Sequence, residues 1–307
     1  MVNNISVLGS INLDTTYHVT RIPLPGETIH VAKKTIAAGG KGANQAVAAR
    51  RSGAKVSFIG AVGNDSAGKY MLQTLEKEKI DSENIIQKKE GTGEATVLLD
   101  EKGQNSILVY WGANDAIDNK QIERAKSTIT KSDFIISQFE TPTSATLKAF
   151  KLAKENSVIT VLNPAPAKKI NDELLKVTDI IAPNETESEL ITGIKVDDQE
   201  SMIKTAEYFK KKGVQITLIT LGSKGVFYSN GSLSQLIPAH KVRAIDTTGA
   251  GDTFIGAMAS KLKSDFSNIA LAINYGQQAS SITVQGLGAQ PSIPTKEEIE
   301  KQYGKEE

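Results

Sequence analysis

Short runs of apolar, β-branched residues recur along the chain and alternate with longer segments whose apolar positions repeat every three or four residues. The short runs predict strands, and several are nearly all apolar, as is typical of strands buried on both faces of a sheet. The longer segments predict helices. The predicted strands span residues 5–9, 55–61, 133–138, 158–163, 179–183 and 215–221, and the predicted helices span residues 42–52, 66–79, 144–156 and 199–212.

This alternation of strands and helices predicts an α/β fold. We expect a three-layer, doubly wound, mostly parallel sheet with helices on both faces, formed as a single domain over residues 1–307. In such sheets, ligands bind at the carboxyl ends of the strands. We expect the unusual motifs of this chain to lie at that edge.

Two regions depart from the alternation, because residues 25–36 and 94–110 are more polar and alternate like half-exposed strands. Residues 94–99 and 105–110, joined by an EKGQ turn, predict a hairpin. We interpret these regions as a small inserted β-sheet, a lid with segments at about 14–38 and 94–112; an extension of the main sheet is the alternative. Further along the chain, residues 226–229 and 234–238 predict another hairpin, and residues 296–307 a charged helix or fraying end.

Composition excludes several classes of function. The 36 basic and 35 acidic residues leave a net charge of +1, so no overall field favours a nucleic acid or a membrane surface as partner. The absence of Cys excludes disulfides, thiol catalysis and Cys-ligated zinc, and the three His are scattered. The opening MVNNISVLGSINLD lacks a basic n-region, and no apolar run approaches the length of about 18 residues that spans a membrane. We therefore expect a cytoplasmic protein.

Two nucleotide-binding signatures are absent or broken. Residues 63–69 have the spacing of a P-loop, but Tyr70 stands where a magnesium-binding Ser or Thr is required. A polar turn that opens the helix at residue 66 explains this segment better. No GxGxxG follows the first strand, which argues against a dinucleotide site and a nicotinamide oxidoreductase.

The segment GGKGAN, residues 39–44, is a candidate ligand-binding turn. Its glycines permit close backbone approach, and the helix beginning at Gly42 directs N–H groups toward a ligand oxygen. Lys41 and Asn44 would add donors. A strand-to-helix turn that requires positive φ is the structural alternative.

Two acids follow predicted strands at the same edge. Asp14 ends the motif GSINLD, and Glu140 ends SQFE. A carboxylate accepts two hydrogen bonds from a vicinal diol. Acids together with Asn44 suit a neutral polyol better than an anion, although each Asp or Glu alone is equally explained by a turn.

Two further segments suit a metal and a nucleotide. Asn184 and Glu187 in PNETE lie three residues apart, so they would share one helix face and offer oxygen ligands to magnesium. Capping of a helix N-terminus is the alternative, and both roles are compatible. The small residues of TLGSKG, residues 220–225, follow a strand and could hold a nucleotide's phosphates or ribose; a hairpin entry turn is the alternative.

The segment DTTGAGDTF, residues 246–254, combines small residues with two acids. We expect Thr248 to be the N-cap, and Gly249, Ala250 and Gly251 to form the first helical turn. The free N–H groups of that turn would make an anion hole, strengthened by the helix dipole. Asp252 beside it is well placed as general base for an attacking hydroxyl.

In order and spacing, these motifs resemble the ribokinase family of sugar kinases, the PfkB-type carbohydrate kinases. The resemblance runs from GSINLD at 9–14 through GGKGANQA at 39–46, NPAPA at 163–167 and PNETE at 183–187 to DTTGAGDTF at 246–254 and GAQPS at 288–292. It implies ATP-dependent phosphorylation of D-ribose at the 5-hydroxyl with magnesium, a β lid over the sugar, and a homodimer formed through the lids.

The resemblance also implies roles for individual residues. Asp252 would be the base, and Gly249, Ala250 and Gly251 the anion hole. The implied sugar ligands are Asn12, Asp14, Gly40, Lys41, Gly42, Asn44, Glu140 and Asp252. The implied nucleotide ligands are Asn184, Thr220, Gly222, Ser223, Gly225, Gly251 and Gln277, with Glu187 organising magnesium. A monovalent cation, usually potassium, would lie near Asp246, Thr248, Thr283, Gly286, Gly288 and Ser292.

One position departs from the family pattern. Gln277 stands where relatives can place Asn or His near adenine, which leaves the contact with the base open. Motifs shared across the family leave deoxyribose, fructose or a nucleoside as alternative substrates. A non-catalytic sugar or nucleotide sensor is the alternative from another class, and the set of acid, anion-hole and metal residues argues against it.

Overall fold

A computed structural model describes residues 2–304 of the chain. The strands are β1 (Asn4–Leu8), β2 (Asn12–His18), β3 (Lys33–Gly39), β4 (Lys55–Gly63), β5 (Asp81–Lys88), β6 (Gly93–Leu99), β7 (Asn105–Tyr110), β8 (Phe134–Ser137), β9 (Ile159–Leu162), β10 (Ile180–Ile181), β11 (Ile216–Thr220), β12 (Val226–Ser229) and β13 (Ser234–Ile237). The α-helices are α1 (Lys41–Arg51), α2 (Ser66–Lys77), α3 (Asn119–Arg124), α4 (Lys126–Thr130), α5 (Thr143–Glu155), α6 (Asp172–Lys176), α7 (Glu185–Thr192), α8 (Gln199–Lys211), α9 (Ala250–Lys261), α10 (Ile269–Thr283), α11 (Ala289–Ser292) and α12 (Lys296–Tyr303).

The main sheet has nine strands in the order β13-β12-β11-β10-β9-β8-β1-β4-β5. The strands from β11 to β5 in this order are parallel, and the hairpin β12–β13 adds two antiparallel strands at one edge. Strands β4 and β5 lie on one side of β1, and strands β8 to β11 lie on its other side, so the order of the strands reverses at β1. In open parallel sheets, ligands bind at the carboxyl ends of the strands next to such a reversal. The predicted fold class is confirmed.

Alternating side chains divide the core between the two faces of this sheet. On β8, Phe134 and Ile136 pack on the face covered by α1 and α9, whereas Ile135 packs on the face covered by α5 and α8. Burial on both faces explains why the central strands are almost continuously apolar. Within residues 2–304, no helix is long and apolar enough to cross a membrane.

A separate four-stranded sheet has the order β3-β2-β6-β7. The hairpin β6–β7 is confirmed with Glu94 opposite Tyr110, and β2 joins it through a parallel pairing with β6. The Asp100 carboxylate closes the hairpin turn by accepting from the N–H groups of Lys102 and Gln104 at 2.8 and 2.9 Å.

Every predicted helix is a helix and every predicted strand of the main sheet is a strand. The predicted and observed bounds differ by no more than two residues at either end. The strand predicted at residues 25–36 is wrong, because the strand is Lys33–Gly39 and the earlier residues form turns and irregular backbone. Pro25 and the positive φ of Gly26, 86°, account for the interruption. Strand β5 was not predicted, because its sequence DSENIIQK is polar and only partly buried.

Candidate active site

The first motif brings β1 and α1 into backbone contact. A Cβ on Gly42 would lie 2.6 Å from Cα of Gly9 and 2.6 Å from N of Ser10, so only a glycine allows this approach. Gly40 caps α1 with φ of 91°, which confirms the turn with positive φ. The same turn places the N-terminus of α1 at the end of β1, as the ligand-site hypothesis requires.

Glu140 is held against this turn by hydrogen bonds from two elements. Its Oε2 accepts from Ser10 Oγ at 2.5 Å and from the backbone N–H of Lys41 at 3.1 Å. Ser10 Oγ in turn accepts from the N–H of Gly42 at 3.3 Å. The predicted polyol ligands Glu140, Lys41 and Gly42 therefore lie together.

The Asp252 carboxylate lies beside the same turn. It is only 6% exposed. Its Oδ2 accepts from Asn44 Nδ2 and its Oδ1 accepts from Gln45 Nε2, each at 3.0 Å. Asn44 is therefore next to the candidate base, whereas Gln45 was not among the predicted site residues.

Five ionisable groups interact in this region. Burial, together with the charges of Glu140 and Asp252, raises the pKa of Asp14 to about 7. The charge of Asp252 is the main reason that the pKa of Lys41 is raised, although burial opposes it. Burial also raises the pKa of Glu187, against a backbone hydrogen bond and the charge of Lys41. A single lysine thus lies among four acids, which suits a neutral, hydroxyl-rich ligand better than an anion.

Asn12 is buried and held by a residue that sequence reasoning missed. Its Oδ1 accepts from Asn114 Nδ2 at 2.8 Å, and Asn114 Oδ1 accepts from the N–H of Ile11 at 2.9 Å. Asn114 is fully buried in a 3₁₀ turn that follows β7. Its sequence neighbours carry no periodic signal, so only the fold identifies it.

The start of α9 differs from the prediction. Thr248 is not the N-cap, because Gly249 caps the helix with φ of 76° and the helix begins at Ala250. Thr248 instead donates to Asp246 Oδ1 through its N–H at 2.9 Å and through Oγ1 at 2.6 Å. The N–H of Ala250 bonds to the carbonyl of Thr247 at 3.2 Å. The N–H groups of Gly251 and Asp252, inside the first turn, remain the main candidates for an anion hole.

The residues predicted around a monovalent cation lie in two segments that are hydrogen-bonded to each other, the loop before α9 and the stretch from the end of α10 to the end of α11. Asp246 Oδ2 accepts from the N–H of Gly288 at 2.9 Å, and the N–H of Gly286 bonds to the carbonyl of Thr283 at 3.1 Å. A Cβ on Gly286 would overlap the hydroxyl group of Ser292. Burial acts to raise the pKa of Asp246, but the hydrogen bonds from Thr248 and Gly288 outweigh it and lower that pKa.

A cavity of about 610 Å³ lies on the other side of the start of α9, where Ala250 and Gly251 form part of its wall. All seven predicted nucleotide ligands line this cavity: Asn184, Thr220, Gly222, Ser223, Gly225, Gly251 and Gln277. The Gln277 side chain is 6% exposed, and both of its amide atoms lack a hydrogen-bond partner within residues 2–304. Residues of the irregular segment 239–244 also line the cavity. The sequence did not predict this, because that segment has no periodicity and no motif.

The Asn184–Glu187 pair forms a capping box at the start of α7. Asn184 Oδ1 accepts from the N–H of Glu187 at 2.7 Å, and Glu187 Oε2 accepts from the N–H of Asn184 at 2.8 Å. This confirms the capping alternative, while the magnesium role stays a prediction. Within the described part of the chain, no three His, Cys, Asp or Glu side chains cluster as a metal site.

The arrangement separates two kinds of ligand. Carboxylates and amides surround Asp252 on one side of the first turn of α9, and the large cavity opens on the other side. A hydroxyl nucleophile on the first side and a phosphoryl donor on the second would meet at that turn. Phosphoryl transfer requires this positioning and charge stabilisation more than it requires covalent chemistry.

Comparison with known proteins identifies sugar kinases as relatives, by sequence and by structure. The model of the family described as pfkB family carbohydrate kinase matches residues 2–296. The chain is 47% identical over 301 residues to a ribokinase of Staphylococcus aureus, covering 97% of this chain and 99% of the relative. It is 46% identical over 299 residues to a ribokinase of Haemophilus influenzae, with 97% of each covered. A structure of Arabidopsis thaliana ribokinase complexed with ribose and ATP is 30% identical, with a TM-score of 0.91 and 98% of each chain covered.

Proposed function

The chain belongs to the pfkB family of carbohydrate kinases, and we propose that it transfers a phosphoryl group from ATP to the 5-hydroxyl of D-ribose, giving ribose 5-phosphate and ADP. The observation that supports this most strongly is the position of Asp252. Its carboxylate lies at a helix N-terminus, between a hydroxyl-binding cluster and a cavity lined by all seven candidate nucleotide ligands. Full-length similarity to ribokinases supports ribose as the substrate.

In this proposal, the cluster around α1 binds and orients the sugar. The carboxylates of Asp14 and Glu140 accept hydrogen bonds from sugar hydroxyls, and Lys41 and Asn44 donate to sugar oxygens. The polar side chain of Asn12, at the start of β2 in the small sheet, completes the sugar site. This binding brings the 5-hydroxyl to Asp252, which removes its proton as oxygen attacks the γ-phosphorus of ATP.

The start of α9 stabilises the charge on the transferring group. We propose that the N–H groups of Gly251 and Asp252, which follow the turn at Gly249 and Ala250, donate to the phosphoryl oxygens as charge develops. Removing one such donor typically costs a factor of about 10²–10³ in kcat. The positive end of the helix dipole adds to this effect.

Magnesium would be held from the nucleotide side. The carboxylate of Glu187 and the amide of Asn184 are oxygen donors of the kind that magnesium takes, directly or through water, and Asn184 lines the cavity. When bound, magnesium neutralises charge on the nucleotide phosphates. Glu187 also interacts with the charge of Lys41. The positive charge of this lysine therefore adds to that of magnesium at the site.

Potassium activation should depend on Asp246. We propose that the loops bearing Asp246, Thr248, Thr283, Gly286, Gly288 and Ser292 bind a monovalent cation next to the anion hole. We expect Asp246→Ala to lose most of the activation by potassium while its potassium-free rate stays close to that of the wild type. Ribose-dependent ADP release measured across potassium concentrations would test this.

The control for this variant is Asp265→Ala. Asp265 also closes a loop, by accepting from the N–H of Ser267 at 3.0 Å, but it lies at an exposed turn after α9. Its variant should keep the wild-type response to potassium. Normal potassium activation of Asp246→Ala would refute the proposed role of Asp246.

The affinity for ribose should depend on pH through Asp14. Its pKa of about 7 in the folded protein compares with 3.8 for a free side chain, so between about pH 4 and 7 the folded protein retains a proton that the unfolded chain has lost. Only the ionised carboxylate is an acceptor at both oxygens. We therefore expect KM for ribose to fall severalfold as pH rises from 6 to 8.

An Asp14→Asn variant separates this effect from other titrations. It should bind ribose more weakly and show a nearly flat KM over the same range, because asparagine has no carboxyl group to ionise. Steady-state kinetics at saturating ATP measure both proteins. If the pH dependence persists unchanged in Asp14→Asn, another group causes it.

A homodimer is the proposed assembly, formed through the small sheet. Strand β7 lies at the edge of this sheet and exposes apolar side chains, with Ile107, Leu108 and Tyr110 each more than half exposed. An exposed apolar edge strand is suited to pairing with a second copy. Sedimentation velocity tests this, and a monomer at all micromolar concentrations would contradict it.

A substrate panel tests the proposed activity. Ribose, deoxyribose, fructose and adenosine are each supplied with ATP and magnesium, with and without potassium, and ADP release is followed. We expect the highest kcat/KM with ribose. A preference for another acceptor would assign a different kinase activity, and ribose binding without ADP formation would indicate a sensor.

A further inference from the structure

Behind Asp252 lies a buried chain of amide side chains that the proposed reaction does not use directly. Gln45 Nε2 donates to Asp252 Oδ1 at 3.0 Å and to Asn163 Oδ1 at 3.1 Å. Gln45 Oε1 accepts from Gln138 Nε2 at 2.6 Å. Asn163 Nδ2 continues the chain to the carbonyl of Ala182 at 3.0 Å. The network thus joins α1, α9 and the ends of β8, β9 and β10.

The neighbours of Gln45 fix the orientation of its amide. If the amide were reversed, its oxygen would face the Asp252 carboxylate and the Asn163 carbonyl oxygen, and its NH₂ would face the NH₂ of Gln138. Every contact would then join two acceptors or two donors. The hydrogen bond from Gln138 therefore keeps the Gln45 donor directed at Asp252.

Burial makes this donor hard to replace. Gln45 and Gln138 are both fully buried, and Asn163 is 7% exposed. Water has little access to this network, so a lost donor would leave Asp252 Oδ1 without a partner.

Gln45 differs from Asn44, the other donor to Asp252. Asn44 lies on the side of the sugar, and in the proposed function it also contacts sugar oxygens, so its hydrogen bond to Asp252 at 3.0 Å is shared. Gln45 has no such second task, because its remaining partners belong to the protein interior. It is the donor that holds Asp252 throughout the reaction.

We propose that Gln45 is a positioning residue for the general base: it holds the Asp252 carboxylate in one orientation, with Oδ2 directed at the sugar hydroxyl, and Gln138 and Asn163 orient Gln45. This inference rests on the proposed function. The same hydrogen bonds connect the general base to Ala182, just past the end of β10. Two residues further along the chain is Asn184 of the nucleotide site.

The test replaces Gln45 with leucine, which has a similar volume and no donor. We expect kcat for ribose to fall about 10- to 100-fold, as for a lost hydrogen bond to a charged group. KM for ribose should change less than about twofold, because the sugar ligands remain.

The charged groups around Asp252, namely Lys41, Asp14, Glu140 and Glu187, are unchanged in this variant. A fall in kcat at nearly constant KM therefore reports the lost amide donor. Gln121→Leu is the matched control, because Gln121 is also buried, at 2% exposure, and donates to the carbonyl of Gly60 at 2.6 Å away from the site. It should lose stability but keep the wild-type kcat and KM.

Gln138→Leu is the second variant, and it decides the matter if Gln45→Leu does not fold. It leaves Gln45 in place but removes the bond that orients it, so we expect a smaller loss of kcat, again with little change in KM for ribose. A wild-type kcat in the folded variants would overturn the positioning role. A wild-type protein that forms no ADP from ribose and ATP would instead overturn the proposed function.

Discussion

Replacing Asp252 with asparagine should lower kcat for ribose by about 10²- to 10⁴-fold, the range that general base catalysis contributes. Asparagine has nearly the same shape but no basic carboxylate, so the 5-hydroxyl would keep its proton until late in the reaction. The variant should still fold. One of the two hydrogen bonds from Asn44 and Gln45 can be retained by the asparagine oxygen.

A structural acid supplies the control for this variant. Asp179 is also buried, at 4% exposure, and it pairs with Lys154 at 2.5 Å at the opposite end of the sheet. Asp179→Asn should reduce the midpoint of urea unfolding while kcat stays near that of the wild type. Ribose-dependent ADP release would measure the activity of both variants. Near-normal turnover by Asp252→Asn would remove Asp252 from the mechanism.

Replacing Gly42 with alanine should have the second-largest effect, on both binding and stability. The new Cβ would lie 2.6 Å from Cα of Gly9 and from N of Ser10, and both contacts are to backbone that cannot rotate away. The start of α1 must move outward with Lys41 and Asn44. We expect KM for ribose to rise more than about tenfold, and the free energy of unfolding to fall by about 1–3 kcal/mol.

Gly91→Ala is the matched control for this substitution. A Cβ on Gly91 would meet its nearest atom, a ring carbon of Tyr110, at 3.4 Å, which is an ordinary contact. Urea unfolding and ribose saturation curves for the two variants give the comparison. Wild-type KM and stability in Gly42→Ala would show that the contact between β1 and α1 does not position the sugar ligands.

The sequence predicted the parts of the fold and site that depend on local patterns. Continuous apolar runs identified the buried strands, because a strand buried on both faces must be apolar at every position. The motifs GSINLD and SQFE predicted that Asp14 and Glu140 lie near each other, and their charges do interact, although Asp14 lies inside β2 of the small sheet rather than just after a strand of the main sheet. The helix predicted to begin at Gly42 begins one residue earlier, at Lys41.

Features set by distant contacts could not be predicted in the same way. Asn114 and Gln138 matter because of partners about a hundred residues away along the chain. Nothing in the neighbourhood of Asn114 marks it, and the motif SQFE, which contains Gln138, does not indicate its bond to Gln45. Thr248 looked like an N-cap, but Asp246 lies close enough to take both its N–H and its hydroxyl. Strand β5 escaped prediction because a half-exposed edge strand need not be apolar.

The most direct test of the central claim is to identify the product made by the wild-type protein from D-ribose and ATP. Phosphorus NMR without proton decoupling distinguishes the sites, because a phosphate on C5 couples to two methylene protons, whereas a phosphate on C1, C2 or C3 couples to one. We predict a new triplet that grows in step with ADP and requires ribose. A doublet, or ADP released at the same rate without ribose, would contradict the account.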